Sequence, residues 1–323
     1  MSDTTRPRAV VAGASGFIGR AIVAALIDDG YDVATIGRSS PTRWDAPLAI
    51  AAAVDGAELL VNLAGKSVNC RYTARNRDEI LRSRVATTRA LREAVAAASF
   101  PPRVWINAST ATIYRHATDA PHTEADGVLG TGFSVDVARA WERELFTGSL
   151  PRTRRVALRM AIVLGPGPAT RALLRIARVG LGGPHVDGPW FPHRRYRGIG
   201  PHATPAASPG WHRTRGRQRF SWVHLDDVVE AVRFVRDRDD LSGPINVAAP
   251  HASDNRALMR GIRRAVGAPF GLPAHRWMLE PAMWALRTEP ELVLKSRWVE
   301  PERLVDAGFA FRHESLDDAL ASP

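Results

Sequence analysis

Residues 8–30, RAVVAGASGFIGRAIVAALIDDG, limit what this chain can fold into more than any other stretch. A short β-branched run enters a turn carrying Gly13, Gly16 and Gly19, and apolar residues at helical spacing follow at Ile18, Ile22, Ala25 and Leu26. Strand, glycine turn and helix in that order are expected to form a nucleotide site. Glycine lets the backbone come close to a pyrophosphate, and the helix N-terminus offers it unpaired N–H groups and a positive dipole. The spacing is GxxGxxG rather than GxGxxG, so the context carries the inference: the turn opens a run of alternating strands and helices.

That run continues through DVATIGRSS, ELLVNLAG from Glu58, a long helix over about 74–98, RVWINAST, a helix at 131–146 and RVALRMAIVL. Strands alternating with helices predict an α/β fold built on a Rossmann-type, doubly wound parallel sheet. We expect a nucleotide-binding domain over residues 1–164 and a smaller C-terminal α/β substrate lobe over 165–323. The second part includes a return strand near 244–248, an insertion loop at 185–214, and helices at 254–266, 277–286 and 300–306.

Ligands on such a sheet sit at the carboxyl ends of the strands, which brings residues 13–19, 62–66 and 109–114 to one edge. Cofactor contacts are expected from Gly13, Ser15, Gly16, Phe17, Ile18 and Gly19, and from Leu63, Ala64 and Gly65. The second strand ends in Gly37, Arg38, Ser39 and Ser40, where an NAD enzyme usually places an acid for the ribose hydroxyls. A guanidinium and hydroxyls suit a 2′-phosphate, so Arg38 and Ser39 point to NADP.

In order along the chain, VVAGASGFIG, VNLAGKSVNCRYT, SRVATTRAL, NASTATIY, LRMAIVLGPG and FSWVHLDDVVEAV resemble the extended short-chain dehydrogenase/reductase superfamily. With GLGGP, NVAAP and the ending VEPERLVDAGFAFRHESLDDAL, the set is similar to atypical members of its NAD-dependent epimerase/dehydratase branch that carry their own C-terminal domain. The resemblance implies a redox step in which a tyrosine, its pKa lowered by a lysine, exchanges a proton with a substrate oxygen that a Ser or Thr also binds. It places Thr110 at the catalytic hydroxyl, with Ser109 beside it. It places Ser134 where the tyrosine belongs and Ala138 where the lysine belongs, and no Tyr-x-x-x-Lys occurs anywhere in the chain. It also puts Ile162 where sugar-nucleotide members carry an asparagine, which disfavours a nucleotide-sugar substrate.

Substitutes for the missing pair must come from the same sheet edge. Lys66, directly after NLAG, Tyr196 in the insertion and His224 in WVHLDD are the candidates, alongside Thr110. Arg71, beside Tyr72, offers a planar fork for a substrate carboxylate or phosphate. Two functions stay open: an NADP-dependent oxidoreductase or epimerase-like enzyme acting on a small substrate, and a non-catalytic NADP(H)-binding sensor or scaffold.

The net charge of +11 raises nucleic acid as a partner. Yet of 44 basic residues only Lys66 and Lys295 are lysines, which reads as a compositional bias toward arginine, and nucleic acid is not expected. Seven arginines between residues 185 and 219 face the single acid Asp187. This stretch reads either as an ordered lid that offers cations to an anionic substrate or as a disordered arm. Its Trp190, Phe191, Tyr196 and Trp211 favour order. The lone Cys70 cannot form an internal disulfide, and no metal site is expected. Without a membrane-length apolar run or an apolar N-terminal leader, the expectation is a cytoplasmic monomer or homodimer.

Overall fold

The computed structural model describes residues 6–206 and 210–321; residues 207–209 of the insertion lie outside the described part. The chain begins β1 (Arg8–Ala12), α1 (Phe17–Asp28), β2 (Asp32–Gly37), β3 (Thr42–Arg43), α2 (Pro47–Val54), β4 (Leu59–Asn62), α3 (Ala74–Ala97), β5 (Val104–Thr110), α4 (Phe133–Phe146) and β6 (Arg154–Met160). With the strand Gly243–Val247, these form a seven-stranded parallel sheet. The strand order is Gly243–Val247, β6, β5, β4, β1, β2, β3. The chain reverses direction between β1 and β4, and that switch point is where a doubly wound sheet opens a ligand crevice.

Both faces of the sheet are covered, which is why β4 and most of β5 are buried at every position. On one face α1 and the helix α6 (Leu225–Asp237, numbered after α5, Pro168–Arg178) bury Ile22, Leu26, Val228 and Val232 against Val11, Val61 and Ile106. On the other, Ile50, Leu91 and Leu145 close over Val10, Leu60 and Trp105. A separate core holds Leu164, Trp222, Leu258, Met259 and Ile262. It gathers the segments that follow β6, including the helix Asn255–Ala265.

The apolar run RVALRMAIVL, read as one strand, is two. β6 ends at Met160, and β7 (Ile162–Leu164) leaves the sheet to pair in parallel with Trp222–His224. The C-terminal segment then threads back, with Arg297 beside Phe220 and Val299 beside His122. Among the described residues no helix is long and apolar enough to cross a membrane.

Candidate functional site

A cavity of about 340 Å³ opens at the switch point and runs from the glycine turn to the N-terminal half of α4. Its near end is walled by Gly13, Gly16, Phe17, Ile18, Gly19 and Leu63. The glycines there serve different needs. Gly13 has φ +82°, and a Cβ on it would lie 2.8 Å from the Leu63 carbonyl carbon; one on Gly19 would lie 2.4 Å from the Gly13 oxygen. Both are required for packing the turn. A Cβ on Gly16 meets only the Gly13 oxygen at 3.3 Å. Gly16 caps α1 without a side-chain bond, so the first N–H groups of that helix are left for a ligand. The loop after β4 is fixed by Asn62, buried between Thr88 and Asn107, whose Oδ1 accepts the Ala64 N–H at 3.0 Å. Arg38 and Ser39 are exposed just beyond β2, Ser15 is exposed in the turn, and Gly65 packs on Arg84.

The far end is formed by Thr110, Thr112, Tyr72, Ser134 and Arg297. Thr110 closes β5; its Oγ1 accepts the Thr112 N–H at 3.1 Å, which leaves its own hydroxyl proton to donate. Ser109 is committed elsewhere, donating at 2.6 Å to Glu142, which is itself clamped by Arg159 at 2.8 Å. Ser134 and Ala138, the positions implied for tyrosine and lysine, both line the cavity, and Ser134 donates to Glu291 at 3.0 Å. Tyr72 fills the space beside them, its ring edge-on to Phe133 at 4.7 Å. Burial and Glu291 push the Tyr72 phenol above its ordinary range, while the Ser134 hydroxyl and Arg297 pull against that shift.

Two cations line the cavity. Arg84, on α3, stacks over Trp141 at 5.0 Å and donates to the Lys66 and Ile80 carbonyls; burial lowers it to about 10. Arg297 donates from Nε to Thr112 Oγ1 at 3.1 Å, and burial pushes it down as well. Behind it the Lys295 ammonium donates to the Thr112 carbonyl at 2.7 Å, and burial lowers that amine to about 8.

Three residues expected to share the chemistry lie outside the cavity lining. Lys66 is ion-paired with Glu79 at 2.8 Å on the protein surface. Tyr196 points its hydroxyl at Glu289, 3.4 Å away, and its ring is stacked by Arg195. His224 is buried at the start of α6, where its Nδ1 accepts the Asp226 N–H, and its ring lies 3.9 Å from that of His313. Of the four, Thr110 alone lines the cavity. His224, Asp226 and His313 are the group among the described residues whose potential metal-ligand atoms gather within 4.8 Å. Arg71 is also spent: it donates to the Trp284 carbonyl at 2.9 Å and stacks on that indole.

The described part of the insertion is an ordered cover. Asp136 in the first turn of α4 accepts Ile199 N–H at 3.0 Å, Thr204 N–H at 2.8 Å and the Thr204 hydroxyl at 2.7 Å. Arg77 on α3 holds the carbonyls of Arg194, Arg197 and Gly198. Arg195 is paired with Glu280 and Glu289, and Asp187 with Arg276 at 3.0 Å. The residues that sequence reasoning missed at the site are Arg84, Lys295 and Arg297, together with the cavity role of Tyr72. The one available signal was that Lys295 is a lysine in a chain that otherwise uses arginine.

Residues 9–142 match the NAD dependent epimerase/dehydratase family, and residues 276–322 match a domain of unknown function (DUF1731). Over these two stretches the chain is similar to this epimerase family and to that C-terminal domain. Epimerase family protein SDR39U1 of Bos taurus is 28% identical over 97% of this chain and 98% of its own. Epimerase family protein YfhF of Bacillus subtilis is 25% identical over 96% and 95%. The crystal structure of human epimerase family protein SDR39U1 (isoform 2) with NADPH superposes with a TM-score of 0.81 at 25% identity, covering 97% of this chain and 98% of that one. Members of this family are NAD(P)-binding proteins of Rossmann fold, and both matched segments contribute walls to the cavity.

Proposed function

We propose that this protein binds NADP(H) across the glycine turn and carries out a redox step of oxidoreductase or epimerase type on a small substrate held at the far end of the cavity. The observation that carries this reading is the continuity of the space: one cavity joins the uncapped N-terminus of α1 to Thr110, Tyr72 and Ser134. The residues fit the dinucleotide. Gly16 leaves room over the N–H groups, and Arg38 has no ion-pair partner among the described residues. That free guanidinium and the NADPH in the human relative favour NADP over NAD.

Bound NADPH would supply the hydride. The remaining roles belong to this chain. Thr110 donates its hydroxyl to the substrate oxygen, and Tyr72, which lines the cavity beside it, is the phenol placed to give that oxygen a proton as the hydride arrives; burial by itself makes it a weaker acid, so the developing alkoxide must draw the proton. Tyr72 thus takes the role assigned from sequence to Lys66, Tyr196 or His224, because it is the tyrosine that lines the cavity. Positioned general acids contribute about 10²–10⁴-fold. NADPH oxidation should therefore be followed over a broad panel of carbonyls. Tyr72→Phe should slow turnover by about 100-fold or more with NADPH affinity unchanged, whereas full activity in that variant would move the acid elsewhere.

The second reading is a non-catalytic NADP(H) sensor, favoured by Ser134 and Ala138 at the positions of the missing pair. Stoichiometric NADPH binding without turnover on any carbonyl would select it.

A further inference from the structure

Arg297 is a buried guanidinium with no carboxylate within ion-pair distance among the described residues. It is 6% exposed and lines the far end of the cavity. Its Nε is taken by Thr112 and its Nη1 by the carbonyls of Leu292 at 3.1 Å and Lys295 at 3.3 Å. Among the described residues no acceptor reaches Nη2, and no carboxylate lies within ion-pair distance of the guanidinium. An enclosed guanidinium without an acid is costly, because charges taken out of water need a compensating partner.

The neighbourhood supplies less than a full counter-charge. Lys295 sits behind Arg297 with the same sign, and the single acid acting on both is Glu291, which accepts the Ser134 hydroxyl. Two cations against one anion leave an excess positive charge at the end of the cavity away from the glycine turn. The other unpaired cation, Arg84, packs on the loop after β4 and so belongs to the cofactor end. The walls between them are apolar: Val68, Ile80, Phe133, Val137 and Leu292.

We infer that the cavity takes a small apolar monocarboxylate, of the 2-oxo acid class, whose carboxylate is received by Arg297 Nη2 and whose hydrocarbon body lies against the apolar walls. A carboxylate fits better than a phosphate. Arg297 offers one free edge, and its Nε and Nη1 are already committed to protein oxygens. The inference rests on reading the cavity as a substrate site, but not on turnover.

The test is binding, read by calorimetric titration with NADP⁺ present. The probes are phenylpyruvate and phenylacetate, the neutral phenylacetamide, and inorganic phosphate. Wild-type protein should bind the two carboxylates saturably and about tenfold or more tighter than phenylacetamide, since a charge-assisted bond is roughly twice a neutral one. Arg297→Met should erase that preference while NADPH affinity holds. If Arg297→Met does not fold, Arg297→Lys and the wild-type selectivity decide the matter. Equal binding of phenylacetamide and phenylacetate, tighter binding of phosphate, or no binding of any carboxylate would overturn the inference. Failure of the proposed function looks different: carboxylates bind with the stated preference but NADPH is never consumed. Reduction of neutral aldehydes without carboxylate binding is the converse, and sinks only the inference.

Discussion

The backbone N–H of Tyr72 donates to Glu289 Oε1 at 2.7 Å across 217 residues of sequence. The other carboxylate oxygen lies 3.1 Å from Arg195 Nε and 3.4 Å from the Tyr196 hydroxyl. One buried acid therefore ties the loop that carries Tyr72 to the insertion that covers it. Tyr196, expected as a substitute acid, is part of this fastening.

Glu289→Ala should accordingly destabilise the protein by about 2–4 kcal/mol, because it removes a buried charge-assisted bond and leaves Arg195 with Glu280 alone. Urea unfolding of wild type and variant measures it. A change within about 0.5 kcal/mol, the range of an ordinary surface substitution, would mean the insertion docks without this acid.

The glycines of the turn should separate by what they break. Gly19→Ala forces a Cβ to within 2.4 Å of the Gly13 oxygen and should lower the melting temperature clearly. Gly16→Ala meets only one oxygen at 3.3 Å, so its stability should stay near wild type while NADPH affinity falls, since the added methyl stands over the helix N–H groups. Paired melting and NADPH titrations decide it. Equal loss of stability in both would remove the distinction between packing glycine and ligand glycine.

What could be read in advance was local. The turn at Gly13–Gly19 and the alternation of strands and helices are set within short windows, so the period of the apolar residues shows them. The helix expected over about 74–98 is α3, with Thr73 Oγ1 accepting the Asn76 N–H at its start. What could not be read was set by distant partners. β7 breaks from β6 because its neighbour is Trp222–His224, some sixty residues on. The insertion is ordered by Asp136 and Arg77, which precede it by more than sixty and by about 117–121 residues. Lys295 and Arg297 are held beside the cavity by hydrogen bonds to Thr112, more than 180 residues earlier. No window of sequence contains both halves of such contacts.

Arg38 bears on cofactor choice. It is exposed, stands past β2 and has no carboxylate within ion-pair distance among the described residues, Glu79 acting on it only from farther away. Arg38→Ala should weaken NADPH binding about tenfold, the scale of one charge-assisted bond, and leave NADH binding nearly unchanged. Titration of both nucleotides against wild type and variant checks it. Equal losses for the two would take Arg38 away from the 2′-phosphate.

The enclosed Lys295 amine predicts a pH dependence of stability. Its folded value is about 8 against an ordinary 10.5, with Glu291 drawing it upward and Arg297 downward. His116 close by is held at about 3 by burial and the surrounding cations, so it stays neutral throughout this window. Between about pH 8 and 10.5 the unfolded chain therefore binds more protons at Lys295 than the folded one, and stability from this group rises with pH. The penalty it relieves is about 3 kcal/mol at most. Lys295→Met removes the titrating group. The stability difference between wild type and Lys295→Met, measured by urea unfolding at pH 7 and pH 9.5, should thus shift in favour of wild type at the higher pH. A constant difference would mean that the amine exchanges its proton with water as a surface lysine does. Phenylacetate bound beside Arg297 should oppose the shift, because an anion at that end of the cavity stabilises the charged form of Lys295.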